Sequence, residues 1–291
     1  MYELLIPSVI ERFSAPGQSE RIFLERVQAA DIRLARHFRT QGEPVSPEIY
    51  REPLIRAAYL LRHVGHYTLQ LGDVLTALDG RPEAAAALNR PHLKLAALCG
   101  GAGPEAIALA CLHKQLGGQA LEATVLDLNA SHWQDCWPIS SSIAQSYNEH
   151  PNVTLKGIVI DLLSGPPIPA EQKVLAEAQV FTAMNCLNEL VGLGIEKVRS
   201  ALDHRLAALA PGTLVLASDL AGYGDCTRGL ALLRQLLKER GAQVLLDDQG
   251  QVHEVENRLD VHPRIAWMYG GANANRFRIW VRSLRLAAVL P

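Results

Sequence analysis

Between Leu95 and Glu105 the chain reads Leu-Ala-Ala-Leu-Cys-Gly-Gly-Ala-Gly-Pro-Glu, and no other stretch restricts its fold as much. An apolar run ends at Cys99 and the glycines Gly100, Gly101 and Gly103, and a helical pattern from Glu105 to Leu112 starts at once. That order predicts a buried strand, a tight turn and a helix. Glycine reaches positive φ without a Cβ penalty and lets the backbone approach a ligand closely. The helix start offers N–H groups without intrahelical partners to a polar or anionic group. A nucleotide-type pocket is the expectation, although a Gly-x-Gly turn also serves as a purely structural connection. The segment Ala123 to Asn129 favours the pocket. It reads as a second strand ending in Asp127, where an acid is placed to accept hydrogen bonds from ribose hydroxyls.

From about residue 92 onward, strand and helix patterns alternate, the mark of a parallel α/β sheet. Strands are expected at Lys94–Leu98, Ala123–Leu128, Val153–Ile160, Ala178–Ala183, Thr213–Ala217, Ala242–Leu246 and Phe277–Leu284. Helices are expected at Ile139–Asn148, Ile195–Leu209 and Cys226–Arg240. In open α/β sheets ligands sit beyond the carboxyl ends of the strands. Those ends are Cys99–Gly103, Asp127–Asn129, Asp161-Leu162, Met184-Asn185 and Ser218-Asp219. Asp161 suits an adenine amino group, which donates a hydrogen bond.

Residues 1–90 carry helical periodicity, with Ile22, Val27, Ile32, Leu34 and Phe38 among charged residues and a second pattern from Tyr50 to Leu78 in which Gly65 and Gly72 are candidate breaks. The expected organisation is a helical N-terminal cap or extension, 1–90, followed by an α/β domain, 91–291. The cap gathers Tyr50, Arg51, Tyr59, Arg62, His63, His66 and Tyr67. His63 and His66 are spaced to share a helix face, but no third metal ligand stands at a recognisable spacing, so no metal is expected. A polar, aromatic-lined face packing on the main domain is the plainer reading of the histidines. Tyr59, His66 and Tyr67 are the candidate substrate-facing residues.

The net charge of −2 and a pI near 6.6 supply no global positive field for nucleic acid or an anionic membrane. Arg276, Arg278, Trp280 and Arg282 alternate along the last strand, a pattern that nucleic acid uses and that a solvated strand face uses more often. The five cysteines, Cys99, Cys111, Cys136, Cys186 and Cys226, form no CxxC pair and read as buried thiols in a reducing compartment. With no secretory pattern at Met1–Pro7 and no run of membrane-spanning length, a cytoplasmic protein is the expectation.

On Leu98-Cys99-Gly100-Gly101-Ala102-Gly103-Pro104-Glu105, Leu126-Asp127-Leu128-Asn129, Val159-Ile160-Asp161-Leu162 and Phe181-Thr182-Ala183-Met184-Asn185, the sequence resembles the class I S-adenosylmethionine-dependent methyltransferases. The resemblance covers roughly residues 92 to 290. The Gly-Gly-x-Gly-Pro-Glu form with Trp133 is weakly similar to the group that includes fungal large-subunit ribosomal RNA uridine methyltransferases. It implies a Rossmann-like seven-stranded sheet whose last strand runs antiparallel. It also implies S-adenosyl-L-methionine as cofactor and S-adenosyl-L-homocysteine as product. By the same resemblance, Cys99, Gly100, Gly101 and Gly103 approach the methionine part, and Asp127 with Leu128 and Asn129 binds the ribose. Asp161 and Leu162 flank the adenine, Trp133 stacks or packs nearby or else serves the core, and Asn185 lies close to the donor sulfur.

Methyl transfer from a sulfonium is an in-line displacement, so alignment in a dry pocket is the main task. Asn185, Asp219, Tyr223 and His63 are the catalytic candidates, and Glu189 is a further base or substrate contact. A small-molecule acceptor is the leading expectation, with an RNA base as the alternative. A nicotinamide-dependent oxidoreductase and a module without cofactor binding complete the set. The sequence leaves the acceptor atom and the oligomeric state, monomer or homo-oligomer, open. Asp127→Ala should remove about two hydrogen bonds of roughly 0.5–1.5 kcal/mol or more each. Calorimetry with S-adenosylhomocysteine should then show a loss of affinity of about tenfold or greater.

Overall fold

The computed structural model describes residues 1–39, 47–221, 225–257, 262–269 and 279–291. The N-terminal part is helical: α1 (Tyr2–Phe13), α2 (Glu20–Arg39), a 3₁₀ turn (Pro47–Arg51), α3 (Pro53–Tyr59), a π-helical turn (Leu60–Val64), α4 (Gly65–Ala77) and α5 (Pro82–Leu88). The chain then alternates through β1 (His92–Leu98), α6 (Pro104–Gln115), β2 (Ala120–Asp127), α7 (Ala130–Trp133), α8 (Trp137–Asn148), β3 (Val153–Val159), α9 (Pro169–Glu177) and β4 (Val180–Met184). It continues with α10 (Leu187–Gly192), α11 (Ile195–Ala208), β5 (Leu214–Leu220), α12 (Cys226–Glu239), β6 (Gln243–Asp247), β7 (His253–Asn257) and β8 (Ile279–Val289).

The sheet order is β3-β2-β1-β4-β5-β8-β6, with β7 also paired to β8. β1 to β5 are parallel to their neighbours, and β8 runs antiparallel to β5, β6 and β7. The expected α/β sheet with an antiparallel last strand is present, with eight strands in place of seven. The added strand is β7, and its sequence, His-Glu-Val-Glu-Asn, explains why periodicity missed it. Four of its five residues are polar, so it carries no apolar alternation. β6 and β7 lie along the same side of β8, β6 against Leu286–Val289 and β7 against Ile279–Ser283. On β8, Arg282 is exposed and ion-pairs with Glu254 across the ladder at 3.4 Å. Arg276 and Arg278 lie outside the described residues.

Two apolar layers cover the sheet. On one face Leu5, Phe23, Ile55 and Leu71 of the helical N-terminal part share a single cluster with Leu95, Ile107 and Val125. On the other, α9 to α12 pack through Leu175, Leu202, Leu233 and Leu237. α4 lies against β5, β8 and α6, which brings the N-terminal part to the carboxyl ends of the central strands. Neither Gly65 nor Gly72 breaks the helix. A side chain at Gly65 would meet Met1 Cε at 2.6 Å and Tyr2 Oη at 2.7 Å, so this glycine is the groove in which α1 begins.

The layer of α9 and α11 contains an ion pair almost wholly removed from water. Arg205 Nε donates to Glu171 Oε1 at 2.8 Å, and both side chains are 1% exposed. Arg205 also donates to the carbonyls of Gly165 and Ala201, so its desolvation is offset by several hydrogen bonds. Glu171→Ala leaves that guanidinium without its counter-charge, and an equilibrium urea titration should show a loss of about 3–5 kcal/mol. A Glu171→Leu/Arg205→Met double variant should recover most of it.

Candidate active site

The glycine turn is shaped from several directions at once. Cys99, Gly101 and Gly103 all have positive φ, at 52°, 51° and 77°. For Cys99, the one with a side chain, this conformation costs about 1–2 kcal/mol. Gly103 N–H donates to the Gly100 carbonyl at 2.8 Å, closing the turn before α6. Trp137 Nε1 donates to the Gly101 carbonyl at 3.0 Å, and Ser140 Oγ donates to the Ala102 carbonyl at 2.7 Å. A Cβ at Gly103 would fall on the Leu155 side chain.

Asp127, at the end of β2, accepts from Gly101 N–H at 3.2 Å and from Asn129 N–H at 2.6 Å. These bonds favour its charged form, but burial outweighs them and raises its pKa. Leu128 beside it is half exposed, an apolar side chain at the rim where a flat ring system would lie. At the end of β3, exposed Asp161 accepts from Leu163 N–H at 3.0 Å, while Leu162 is buried.

Tyr59 and Trp133 pass directly over the turn. A methyl group on Gly101 would stand 3.5 Å from the Tyr59 hydroxyl and 3.6 Å from the Trp133 ring. Trp133 also touches Tyr50, with ring centres 4.8 Å apart, and Tyr59 touches His63 at 5.0 Å. Tyr67 adjoins His63 at 5.3 Å and His66 at 6.0 Å. This roof is pinned by Arg56, which bonds both carboxylate oxygens of Asp135 at 3.0 and 2.6 Å and the Tyr50 carbonyl at 2.6 Å. The π-helical turn falls between Tyr59 and Gly65, so it sets how Tyr59, His63 and Tyr67 are aimed. Such turns recur at functional sites.

His63 is pushed down to about 3 and His66 to about 4, in both cases first by burial and then by Arg62. Both are neutral at physiological pH, and a proton placed on either would be a buried charge. The sequence-level candidate His63 is therefore poorly suited as a base.

Asn185 adopts φ 54° at the end of β4 and is tied into a buried amide clasp. Gln70 Nε2 donates to Asn185 Oδ1 at 3.1 Å and to Ser218 Oγ at 2.8 Å, Asn185 Nδ2 donates back to Gln70 Oε1 at 2.8 Å, and Leu220 N–H donates to Asn185 Oδ1 at 3.1 Å. These bonds make Asn185 a positioning residue that joins α4 to the ends of β4 and β5. Tyr223 lies outside the described residues.

The structure adds Glu105, which the sequence placed in the motif without a role. It is 3% exposed in the first turn of α6, its Oε2 has no hydrogen-bond partner, and burial drives it up to about 8. Asp219 is fully buried and is pushed up to about 7, first by burial, against the N–H groups of Asn188, Cys186 and Leu187 and alongside Glu189. Those N–H groups face its carboxyl, but neither oxygen is within strict hydrogen-bond geometry. Glu189 is raised to about 7 by desolvation and by Asp127. Its side chain is exposed, in the first turn of α10. Gln70, equally unforeseen, sits between Leu69 and Leu71 and carries no sequence signal beyond being polar in an apolar stretch.

A surface groove of about 460 Å³ between α2 and the turn Pro263–Tyr269, lined by Leu24, Gln28, Arg264 and Trp267, lies away from this chemistry. Among the described residues, no cluster of three histidine, cysteine or acidic side chains could hold a metal ion, and no helix is long and apolar enough to cross a membrane.

No family model matches the chain, and no curated protein matches its sequence. Similar solved structures include a SAM-dependent methyltransferase from Methanosarcina mazei, at 12% identity over 73% of this chain and 99% of that one, TM-score 0.42. Another is the S-adenosylmethionine-dependent methyltransferase SibL in its apo form, at 14% over 100% of this chain and 74% of that one, TM-score 0.42. A third is an O-methyltransferase family 2 protein from Planctomyces limnophilus in complex with apigenin, at 11% over 98% and 66%, TM-score 0.42. These likenesses are too distant to carry an assignment. The chain's own strand order and glycine turn define a Rossmann-like α/β protein with an antiparallel strand inserted beside β5.

The titrations set a pH dependence. The two buried raised carboxyls, Glu105 and Asp219, hold protons in the folded state that the unfolded chain gives up near pH 4.5 and 3.8, so their stabilisation falls as pH rises towards 8. The depressed histidines act oppositely, below their unfolded value of 6.5. Between pH 6.5 and 8 these two carboxyls lower stability as pH rises, by up to about 1.4 kcal/mol per pH unit for each group still protonated. Thermal denaturation across that window checks this, and Glu105→Gln should flatten the decline.

Proposed function

We propose that this chain is an S-adenosylmethionine-dependent methyltransferase acting on a small organic acceptor, with residues 1–90 forming the cap that encloses it. The single observation behind this reading is Asp127, whose carboxylate is fixed beside the Gly101 turn by two backbone N–H groups. The cofactor fits the residues present. Gly101 and Gly103 form a cradle that side chains would fill or strain, and Glu105 holds an orphaned carboxyl oxygen at the turn. Asp127 suits the ribose hydroxyls, Leu128 and Leu162 an adenine face, and Asp161 the adenine amino group. When bound, the cofactor supplies a methyl carbon already attached to a good leaving group.

The chain's own contribution is then alignment and exclusion of water. Tyr50, Tyr59 and Trp133 cover the turn with apolar ring surface, and rings next to carboxyls suit a sulfonium as they suit other cations. The Gln70–Asn185–Ser218 clasp fixes the strand ends that border the acceptor. An RNA acceptor would bring polyanionic phosphate to a mouth occupied by Glu189, which speaks for the small-molecule reading.

S-adenosylhomocysteine at about a hundred times its Kd should stabilise the protein by about 2.7 kcal/mol. Differential scanning fluorimetry should register this as an upward shift of several degrees, with no shift from NAD. A response to NAD without one to S-adenosylhomocysteine overturns the assignment.

A further inference from the structure

Glu105 is sealed from water and still lies against the glycine turn. It is 3% exposed, its Oε2 accepts no hydrogen bond, and that oxygen is 3.5 Å from the place a Cβ on Gly100 would take. The same Cβ would meet the Ala97 Cβ at 2.8 Å, so the carboxyl reaches back from the first turn of α6 to the end of β1. There β1 brings only Ala97 and Leu98, and no polar side chain of its own. The next residue of the turn, Gly101, is held by Asp127 through its N–H.

Nothing beside Glu105 supplies the missing donor or a counter-charge. The groups that act on it are its own N–H and the Asp127 carboxyl, with no lysine or arginine among them. Arg56 and Arg62 on the helices above are paired with Asp135 and Asp31, and His63 and His66 are neutral. Burial holds the Tyr59 phenol neutral as well, and the Thr68 hydroxyl of α4 is turned to the Pro104 carbonyl at 3.3 Å. In this setting the neutral acid is the stable form, and burial drives Glu105 up to about 8. A cation that donates hydrogen bonds reverses that preference, because it supplies both the charge and the donor.

The cofactor has such a group at the end that the glycine turn is proposed to receive. Its ribose hydroxyls suit Asp127 and its adenine amino group suits Asp161, while the sulfonium is a cation with no hydrogen to donate. The ammonium of the methionine part has three. Resting on the methyltransferase reading above, we infer that Glu105 is the counter-charge of that ammonium, and that cofactor binding expels the Glu105 proton to solvent. The ammonium keeps its own protons, the carboxyl ionises, and water or buffer takes what the carboxyl releases. An acid from the helix after the turn thereby does for the methionine end what Asp127, at a strand end, does for the ribose.

Calorimetry of S-adenosylhomocysteine and of 5′-methylthioadenosine, which keeps the adenosine and sulfur but lacks the amino-acid end, tests this in buffers of different ionisation enthalpy at neutral pH. With the unaltered protein, S-adenosylhomocysteine should release about one proton more than 5′-methylthioadenosine. Glu105→Gln should remove that difference and weaken S-adenosylhomocysteine by about tenfold or more, with 5′-methylthioadenosine unchanged. No extra proton, an unchanged affinity in the folded variant, or equal losses for both ligands overturns the inference. So does a loss seen for S-adenosylmethionine alone, which would place Glu105 against the sulfonium. The proton count on the unaltered protein decides the matter even if the variant does not fold. Failure of the unaltered protein to bind either adenosine ligand overturns instead the methyltransferase reading.

Discussion

The site depends first on a carboxylate holding a backbone. Asp127 accepts from Gly101 N–H and Asn129 N–H, so the end of β2 fixes the turn that follows β1. The turn needs such help, because Cys99, Gly101 and Gly103 occupy the left-handed region and Cys99 does so against its own Cβ. Trp137 and Ser140 hold the turn's carbonyls from α8, and Leu155 of β3 occupies the space that Gly103 leaves open. Two neighbouring strands and one helix thus impose a shape that the local sequence only permits. The group that organises the turn is also the group proposed to receive the ribose.

A second dependence runs from the helical N-terminal part into the same place. Its apolar faces belong to one cluster with β1, β2 and α6, so it is a layer of the core as much as a cover. Arg56 anchors the loop that carries Tyr50, the π-helical turn orients Tyr59 and His63, and Gln70 reaches across to Asn185 and Ser218. A buried amide clasp of this kind is costly to leave half-made. Displacing α4 would therefore disturb the strand ends as well as the roof.

The electrostatics follow from the same burial. Water is excluded from the histidines and the carboxyls alike, so the first stay neutral and the second hold protons well above their ordinary range. One environment thereby makes His63 a poor base and makes the acids responsive near neutral pH.

The parallel sheet, the glycine turn and the acids at strand ends were legible in the sequence, because each is written locally, whereas the antiparallel last strand followed only from the family resemblance. Apolar runs of strand length, three glycines before a helix, and Asp127 or Asp161 after such a run need no distant partner to be recognised. β7 was not legible, since His-Glu-Val-Glu-Asn, with one apolar residue in five, carries no alternating pattern. Nor was the role of Glu105, Gln70 or the π-helical turn, for these are set by residues far along the chain: Asp127 beside Glu105, Asn185 and Ser218 beside Gln70, and Trp133 against Tyr59. Backbone preference and hydrophobic period decided by themselves that this chain would make a glycine turn between a strand and a helix. What stands above that turn, and which protons its neighbours hold, only packing decided, because burial and charge proximity arise between elements and belong to none of them alone.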